Sequence, residues 1–379
     1  MDKQDRQNRQ NVQSPPSHSM RAAKFSVSCG GTGGHVFPGL ATARALQTRG
    51  HEVTLWMAGQ AIETATRHAW SGPVVSIPSA GLSASPIRLP LTLVRLVRVF
   101  RASLRALRQN PPQALLAMGS YSSVGPVLAA RWLRIPVILH EANVIPGRAI
   151  DVLSRFAHTV AVNFPETKNY LPRARVSVVG IPLRKELELA ASSAFSAPDR
   201  FTVLIMGGSQ GAKRLNELAV EALCRLHREG LPINVIHLSG EKDQSSVTAA
   251  YQAAGIPHTV HGFLRDMASA YQSASLAIAR SGANSCMELA LFGVPALLVP
   301  YPLAARDHQA ANARAMAKAG AADVIEQKDL TADRLVDYIR NKMRDPTTLA
   351  AMQESARRRS MTGADEKLAD LVEEVAAGR

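Results

Sequence analysis

The stretch Phe25-Ser-Val-Ser-Cys-Gly-Gly-Thr-Gly-Gly-His-Val-Phe-Pro-Gly39 sets the organisation of this 379-residue chain. The apolar run from Phe25 to Cys29 reads as a buried strand. It stops at a glycine loop, Gly30, Gly31, Gly33 and Gly34, and a helix is predicted from Pro38. Strand, loop and helix form the first unit of a doubly wound α/β domain. Glycines let the backbone approach a ligand closely, and a helix start offers free N–H groups and a positive dipole end to an anion. A tight strand-to-helix turn accounts for the same glycines. His35 stands at the loop exit, within reach of a ligand. The dinucleotide pattern G-x-G-x-x-G fails, because Val36 occupies its last position, and a P-loop fails, because His35 follows Gly34 where lysine is required.

The opening pattern returns at Arg200-Phe-Thr-Val-Leu-Ile-Met-Gly-Gly-Ser-Gln-Gly-Ala212. Strand, two glycines, hydroxyl residue, glycine and helix recur in that order. The expected fold class is therefore α/β, with two Rossmann-like doubly wound domains facing a cleft. Residues 1–20 read as a disordered tail, 21–182 as the first domain, 183–350 as the second, and 351–379 as a helical segment packing back towards the first. Gly180-Ile-Pro-Leu-Arg184 reads as the linker. Further strands are predicted at 52–58, 74–78, 114–118, 136–140, 160–163, 176–179, 234–239, 260–263, 276–279 and 295–300. From Thr347 the chain is expected to be helical and polar.

Charge is distributed unevenly. Residues 21–182 hold 18 Lys/Arg against 5 Asp/Glu, whereas residues 183–379 hold 23 of each. The first domain should therefore meet something anionic: a membrane surface, a nucleic acid or a phosphorylated substrate. Pro86 to Asn110 contains no acid and reads as a basic amphipathic helix. Leu93, Val97, Phe100, Leu104 and Leu107 make its apolar stripe, and Arg98, Arg101, Arg105 and Arg108 a neighbouring basic one, with Arg95 just before. Both packing on the sheet and contact with a membrane fit this pattern; Leu91, Leu96 and Val99 supply apolar surface outside the stripe. The arginines lack the interleaved aromatics that stack bases, so no nucleic-acid partner is expected. No apolar run reaches the roughly 18 residues that span a bilayer, and the first 20 residues lack the apolar core of a signal peptide. Cys29, Cys224 and Cys286 are far apart and lack metal-ligand spacing, which fits a reduced cytosolic protein.

Two such domains suit a transfer between two bulky substrates across their cleft. The neutral half carries donor-type features. Ser209 and the backbone N–H groups of Ala283, Asn284 and Ser285 lie at helix starts. Glu288, one turn in, is placed to accept both hydroxyls of a ribose, although a first-turn Glu also gains from the helix dipole. There is no Asp-x-Asp, so no metal-bridged nucleotide is expected; helix dipoles and Arg184 would carry the diphosphate charge.

Taken together, Gly30 to Ala41, His140-Glu-Ala-Asn143, Gly207 to Ala212, Ser281 to Glu288 and Asp307-His-Gln-Ala-Ala-Asn-Ala313 resemble, in order and spacing, the peptidoglycan glycosyltransferases that make lipid II. The resemblance covers roughly residues 24–375. It implies the glycosyltransferase-B fold and transfer of N-acetylglucosamine from UDP to the 4-hydroxyl of the N-acetylmuramoyl sugar of lipid I. The reaction would invert the anomeric centre at the inner face of the membrane, with no cofactor and no bound metal. The partners implied are UDP-N-acetylglucosamine, lipid I and an anionic inner-membrane surface. By position, Thr32, Gly33, Gly34, Asn143, Arg184, Ser209, Leu264, Ala283, Asn284, Ser285, Cys286, Met287, Glu288 and Gln309 match donor-binding positions. His35 matches the proposed base, with Glu141 a second candidate. Gly30, Gly31, Gly119, Ser120 and Tyr121 belong to the loops that would hold the acceptor diphosphate. Ser120 stands where the family usually has glycine, Ala142 for glutamine and Ile181 for asparagine. Rival readings are a UDP-N-acetylglucosamine 2-epimerase and a diacylglycerol glycosyltransferase of the same fold.

Overall fold

Two all-parallel sheets organise the computed structural model, which describes residues 22–31, 33–58, 70–77, 89–193, 200–208 and 211–378, for 89–91 and 93 the backbone alone. The tail 1–20, Thr32, Arg88 and Ser209 lie outside these residues. The first sheet contains β1 (Lys24–Ser28), β2 (Glu52–Met57), β3 (Val74–Ser76), β4 (Ala114–Ala117), β5 (Val137–Glu141), β6 (Thr159–Val162) and β7 (Val176–Val178), in the order β3-β2-β1-β4-β5-β6-β7. The second contains β8 (Phe201–Met206), β9 (Ile233–Leu238), β10 (His258–His261), β11 (Leu276–Ala279), β12 (Ala296–Leu298) and β13 (Ala322–Val324), ordered β10-β9-β8-β11-β12-β13. Helices cover both faces, so the central strands are continuous apolar runs rather than alternating ones. Strand order reverses between β1 and β4 in one sheet and between β8 and β11 in the other. At such switch points the loops leaving the two strands diverge and open a crevice.

In chain order the helices are α1 (Gly33–Thr48), α2 (Leu89–Gln109), α3 (Val124–Trp132), α4 (Arg148–Leu153), α5 (Lys185–Ala191), α6 (Lys213–Arg228), α7 (Gln244–Ala254), α8 (Met267–Ser273), α9 (Ala283–Phe292), α10 (His308–Lys318), α11 (Ala332–Arg344), α12 (Pro346–Arg359) and α13 (Ala364–Ala376). The first helix starts at Gly33, one turn before the expected Pro38, which lies inside it. The carbonyl that Pro38 cannot bond belongs to Gly34, still within the first turns, where the break costs least. A Cβ added at Gly39 would lie 2.3 Å from that of Cys29, so the missing side chain lets α1 settle directly on the end of β1.

The basic helix α2 keeps the C-terminal part of its expected stripe on the core, with Leu107 buried and Phe100 and Leu104 packed against it, but is turned at its N-terminal part. Thr92, Ser103 and Leu107 are buried, and Val99 sits against Gly125 of α3, whereas Val94 and Val97 are exposed. The expected stripe is thus rotated: Val97 faces out and Val99 in. The segment Gly180–Arg184, read as the linker, is packed: Ile181 and Leu183 are core residues, and the Gly180 carbonyl hydrogen-bonds His140 Nε2 at 2.9 Å. Nor is the chain polar from Thr347. It breaks at Ser360–Gly363, and α13 buries Leu368, Ala369, Val372 and Val375 in the core built on β1 and α1. Arg49, in the turn just after α1, grips this helix through Glu366, Asp370 (2.7 Å) and Glu373 (3.1 Å).

Candidate active site

At the first switch point the loops after β1 and β4 are stitched together. Ser122 Oγ donates across to the Gly30 carbonyl at 2.8 Å, and within the second loop Ser123 Oγ donates to the carbonyl of Gly119. Gly31 has φ +131°, and a Cβ there would come within 3.0 Å of Ser120 Oγ. Ser120 itself holds φ 68°, ψ 162°, a region otherwise left to glycine and costing of order 1–3 kcal/mol. Ser120→Gly loses about 0.5–1 kcal/mol to unfolded-chain entropy, so a net gain is expected. The melting temperature should rise by about 1–4 °C; a fall would show that the loop carries no such strain. Tyr121, next in the loop, is exposed.

His35, in the first turn of α1, lies between these loops, with positions around Gly31 and Gly119 within about 4 Å of its ring. It keeps part of its surface accessible, yet burial by its neighbours pushes the imidazole down to about 4. His140 on β5 is likewise pushed to about 4 by burial and feels the charge of His35. Both rings are therefore neutral at neutral pH.

Glu141 has a different character. One carboxylate oxygen accepts from the Asn143 backbone N–H (2.9 Å) and side-chain amide (3.0 Å), the other from Gly147 N–H (2.8 Å). Burial pushes its carboxyl up, and these donors pull it back. Three donors from its own loop thus engage both oxygens of Glu141 and tie residues 141–147 together.

At the second switch point α9 begins at Ala283 behind Gly282, presenting the N–H groups of Ala283, Asn284 and Ser285 in its first turn. Glu288 lies one turn further along. Tyr271, fully buried on α8, donates its hydroxyl to Glu288 Oε2 at 2.6 Å. Burial pushes the Glu288 carboxyl up; Tyr271 and the charge of Arg184 oppose this. Arg184 also reaches the Arg265 carbonyl, beside the half-buried Leu264. Gln309 accepts from Tyr301 N–H at 3.0 Å, and its carbonyl accepts from Ser281 Oγ at 2.8 Å. Of the expected donor positions, Cys286 and Met287 have their side chains packed in the core; burial pushes the Cys286 thiol up to about 12, and its N–H is bound to the Gly282 carbonyl.

Sequence reasoning missed Tyr271 and Arg280. The latter is buried and donates to the carbonyls of Val299 and Pro300 and to Gln327. Burial lowers its pKa. It fixes the loop carrying Tyr301. An arginine ending a strand is the one sequence signal that pointed there.

Two doubly wound parallel sheets in tandem, each with loops gathered at its switch point, are the architecture of the glycosyltransferase-B fold. The chain belongs to glycosyltransferase family 28: the N-terminal domain of that family matches residues 25–162 and its C-terminal domain residues 202–375. It is 37% identical to the UDP-N-acetylglucosamine--N-acetylmuramyl-(pentapeptide) pyrophosphoryl-undecaprenol N-acetylglucosamine transferase of Sinorhizobium fredii, over 93% of this chain and 95% of that protein. The crystal structure of Acinetobacter baumannii MurG is similar at TM-score 0.77 and 32% identity, covering 93% of this chain and 99% of that one. A UDP-N-acetylglucosamine 2-epimerase from Listeria monocytogenes shares the fold alone, at TM-score 0.70 and 12% identity over 94% and 98% of the two chains.

Proposed function

We propose that this protein transfers N-acetylglucosamine from UDP-N-acetylglucosamine to the 4-hydroxyl of the N-acetylmuramoyl-pentapeptide of undecaprenyl-diphosphate-linked lipid I, giving lipid II and UDP. Full-length similarity to a transferase carrying that name is the observation that supports the reading. The first sheet's glycine loops would take the acceptor diphosphate, and the second domain the UDP-sugar. In a single in-line displacement the acceptor O4 forms a bond to C1 as the bond from C1 to the β-phosphate oxygen breaks. The electron pair leaves with UDP, the anomeric centre inverts, and His35 takes the hydroxyl proton.

Incubation with UDP-N-acetylglucosamine and a short-chain lipid I analogue should give the disaccharide product and equimolar UDP. No transfer would overturn the reading. Acceptor-independent conversion to the 2-epimer would place the chain with the epimerases.

Among the described residues no helix is long and apolar enough to cross a membrane, so attachment at the cytoplasmic face of the plasma membrane would be peripheral. Arg95, Arg98, Arg101, Arg105 and Arg108 all lie exposed on α2. Val94 and Val97 on the same helix and Trp132 (70% exposed) on α3 are exposed apolar side chains, with Trp132 edge-on to Phe100 of α2. Each arginine near an anionic surface contributes about 1 kcal/mol, and salt screens it. Sedimentation with anionic vesicles should fall steeply between low and high salt, with little binding to neutral vesicles. Equal binding to both would reject the electrostatic attachment.

A further inference from the structure

The two halves of the site are joined through one fully buried amide. Asn312, on α10 of the second domain, is 0% exposed. Its Nδ2 donates to Asn143 Oδ1 (3.0 Å) and to the Ser281 carbonyl (3.1 Å), and its Oδ1 accepts from Val144 N–H (2.9 Å). Asn143 passes the connection on through its own Nδ2 to Glu141. On the other side Ser281 Oγ reaches the Gln309 carbonyl. An uninterrupted hydrogen-bond chain thus runs from the loop after β5 to the loop that opens α9.

A second grip lies beside it. Arg306 Nη1 crosses to the Pro146 carbonyl (3.1 Å) and Asp151 Oδ2 (2.8 Å). The turn that carries it has Arg306 and Asp307 both at φ 56°, a conformation that non-glycine residues hold only when their surroundings require it.

We infer that Asn312 is a positioning residue for the transfer: it clasps the first-domain loop 141–147 to the second-domain helix start at 281–283, and Arg306 is the outer half of the same clasp. Both amide protons and the amide oxygen of Asn312 are engaged within the protein, so its effect on catalysis passes through Asn143 and Ser281. Reaction between two bound substrates depends on the distance between the halves, and a misplacement of about 1 Å can cost 10²-fold in rate. The inference rests on the transferase reading for its rate measurement alone.

Asn312→Asp keeps the shape and the acceptor for Val144 but removes both donations. Its kcat with UDP-N-acetylglucosamine and a lipid I analogue should fall about 10²-fold, while the calorimetric Kd for UDP changes less than about threefold. Combined with Asn143→Ala, the loss should be smaller than the product of the two single losses, since both cut one connection. Arg306→Ala, on an exposed turn that leaves the core intact, should lower kcat about tenfold. Both variants should show a larger radius of gyration by small-angle scattering without substrate. Unchanged kcat and radius in Arg306→Ala, multiplicative losses in the double variant, or a loss of UDP affinity equal to the loss in kcat would each overturn the assignment. An unaltered protein inactive with lipid I would instead defeat the transferase reading, and the scattering comparison would still decide the clasp.

Discussion

Replacing His35 by alanine is expected to lower kcat by about 10²–10⁴-fold, the usual loss with a general base, with UDP-N-acetylglucosamine affinity close to that of the unaltered enzyme. His35→Gln, which can still donate a hydrogen bond to phosphate, should not restore the rate. If it does, His35 acts only as a phosphate donor and the proton goes elsewhere. Glu141 is the less suitable substitute, because its carboxylate already accepts three hydrogen bonds from its own loop.

The structure also sets the pH dependence. With the imidazole pushed down to about 4, the acid limb of kcat/KM, which reports the free enzyme, should fall near 4 and not near the unperturbed 6.5. A bound acceptor diphosphate favours the protonated ring, so the limb in kcat should lie higher. Lowering the folded-state pKa of His35 and His140 makes the unfolded chain bind more protons between about 6.5 and 4. Their contribution to stability is therefore complete above that window and lost as pH falls through it. A kcat/KM limb at 6.5 would show that His35 is not buried in the working enzyme.

Glu288→Ala is expected to raise the KM for UDP-N-acetylglucosamine at least about tenfold, since a hydrogen bond to a charged group contributes about 1.5–3 kcal/mol. Tyr271 holds one carboxylate oxygen, and in the proposed donor complex the other would accept from the ribose hydroxyls. Tyr271→Phe should therefore weaken donor binding less, by about threefold to tenfold, through loss of orientation. Burial raises the Glu288 pKa, so the ionised form is disfavoured and donor affinity should weaken towards acid pH. The sign for stability is opposite: a raised carboxyl pKa contributes stability at low pH that is lost as pH rises through the folded value. An unchanged KM in Glu288→Ala would remove Glu288 from the donor site.

The strands with β-branched or aliphatic runs, such as Phe25–Cys29 and Phe201–Met206, were legible in the sequence because burial on both faces demands apolar residues throughout. Ala322-Asp-Val324 was not, since three residues with an aspartate in the middle carry no periodic signal. The start of α1 was hidden because Gly33, Gly34 and Pro38 each argue against a helix, while the packing of Gly39 on Cys29 favours one. The outward turn of Val97 is a tertiary effect: α3 takes up Val99, and the apolar residues on the far side of α2 are left over. In the candidate site the loops announced themselves through their glycines. Their fastenings did not. Tyr271 to Glu288, Asn312 to Asn143 and Arg306 to Asp151 join residues 17, 169 and 155 apart, and only the folded chain brings such pairs together.

The return of α13 to α1 has a consequence for how the protein is made. Leu368, Ala369, Val372 and Val375 complete the core around Phe25, Val27 and Leu46. The last strand of that sheet is finished at Val178, whereas α13 begins at Ala364. A ribosome adding about 5–20 residues per second needs roughly 10–40 s for the roughly 190 residues between. Throughout that interval the emerging first sheet carries an uncovered apolar groove beside α1. That groove closes only when α13 arrives, so the first half to be synthesised completes its core after the second half has been made.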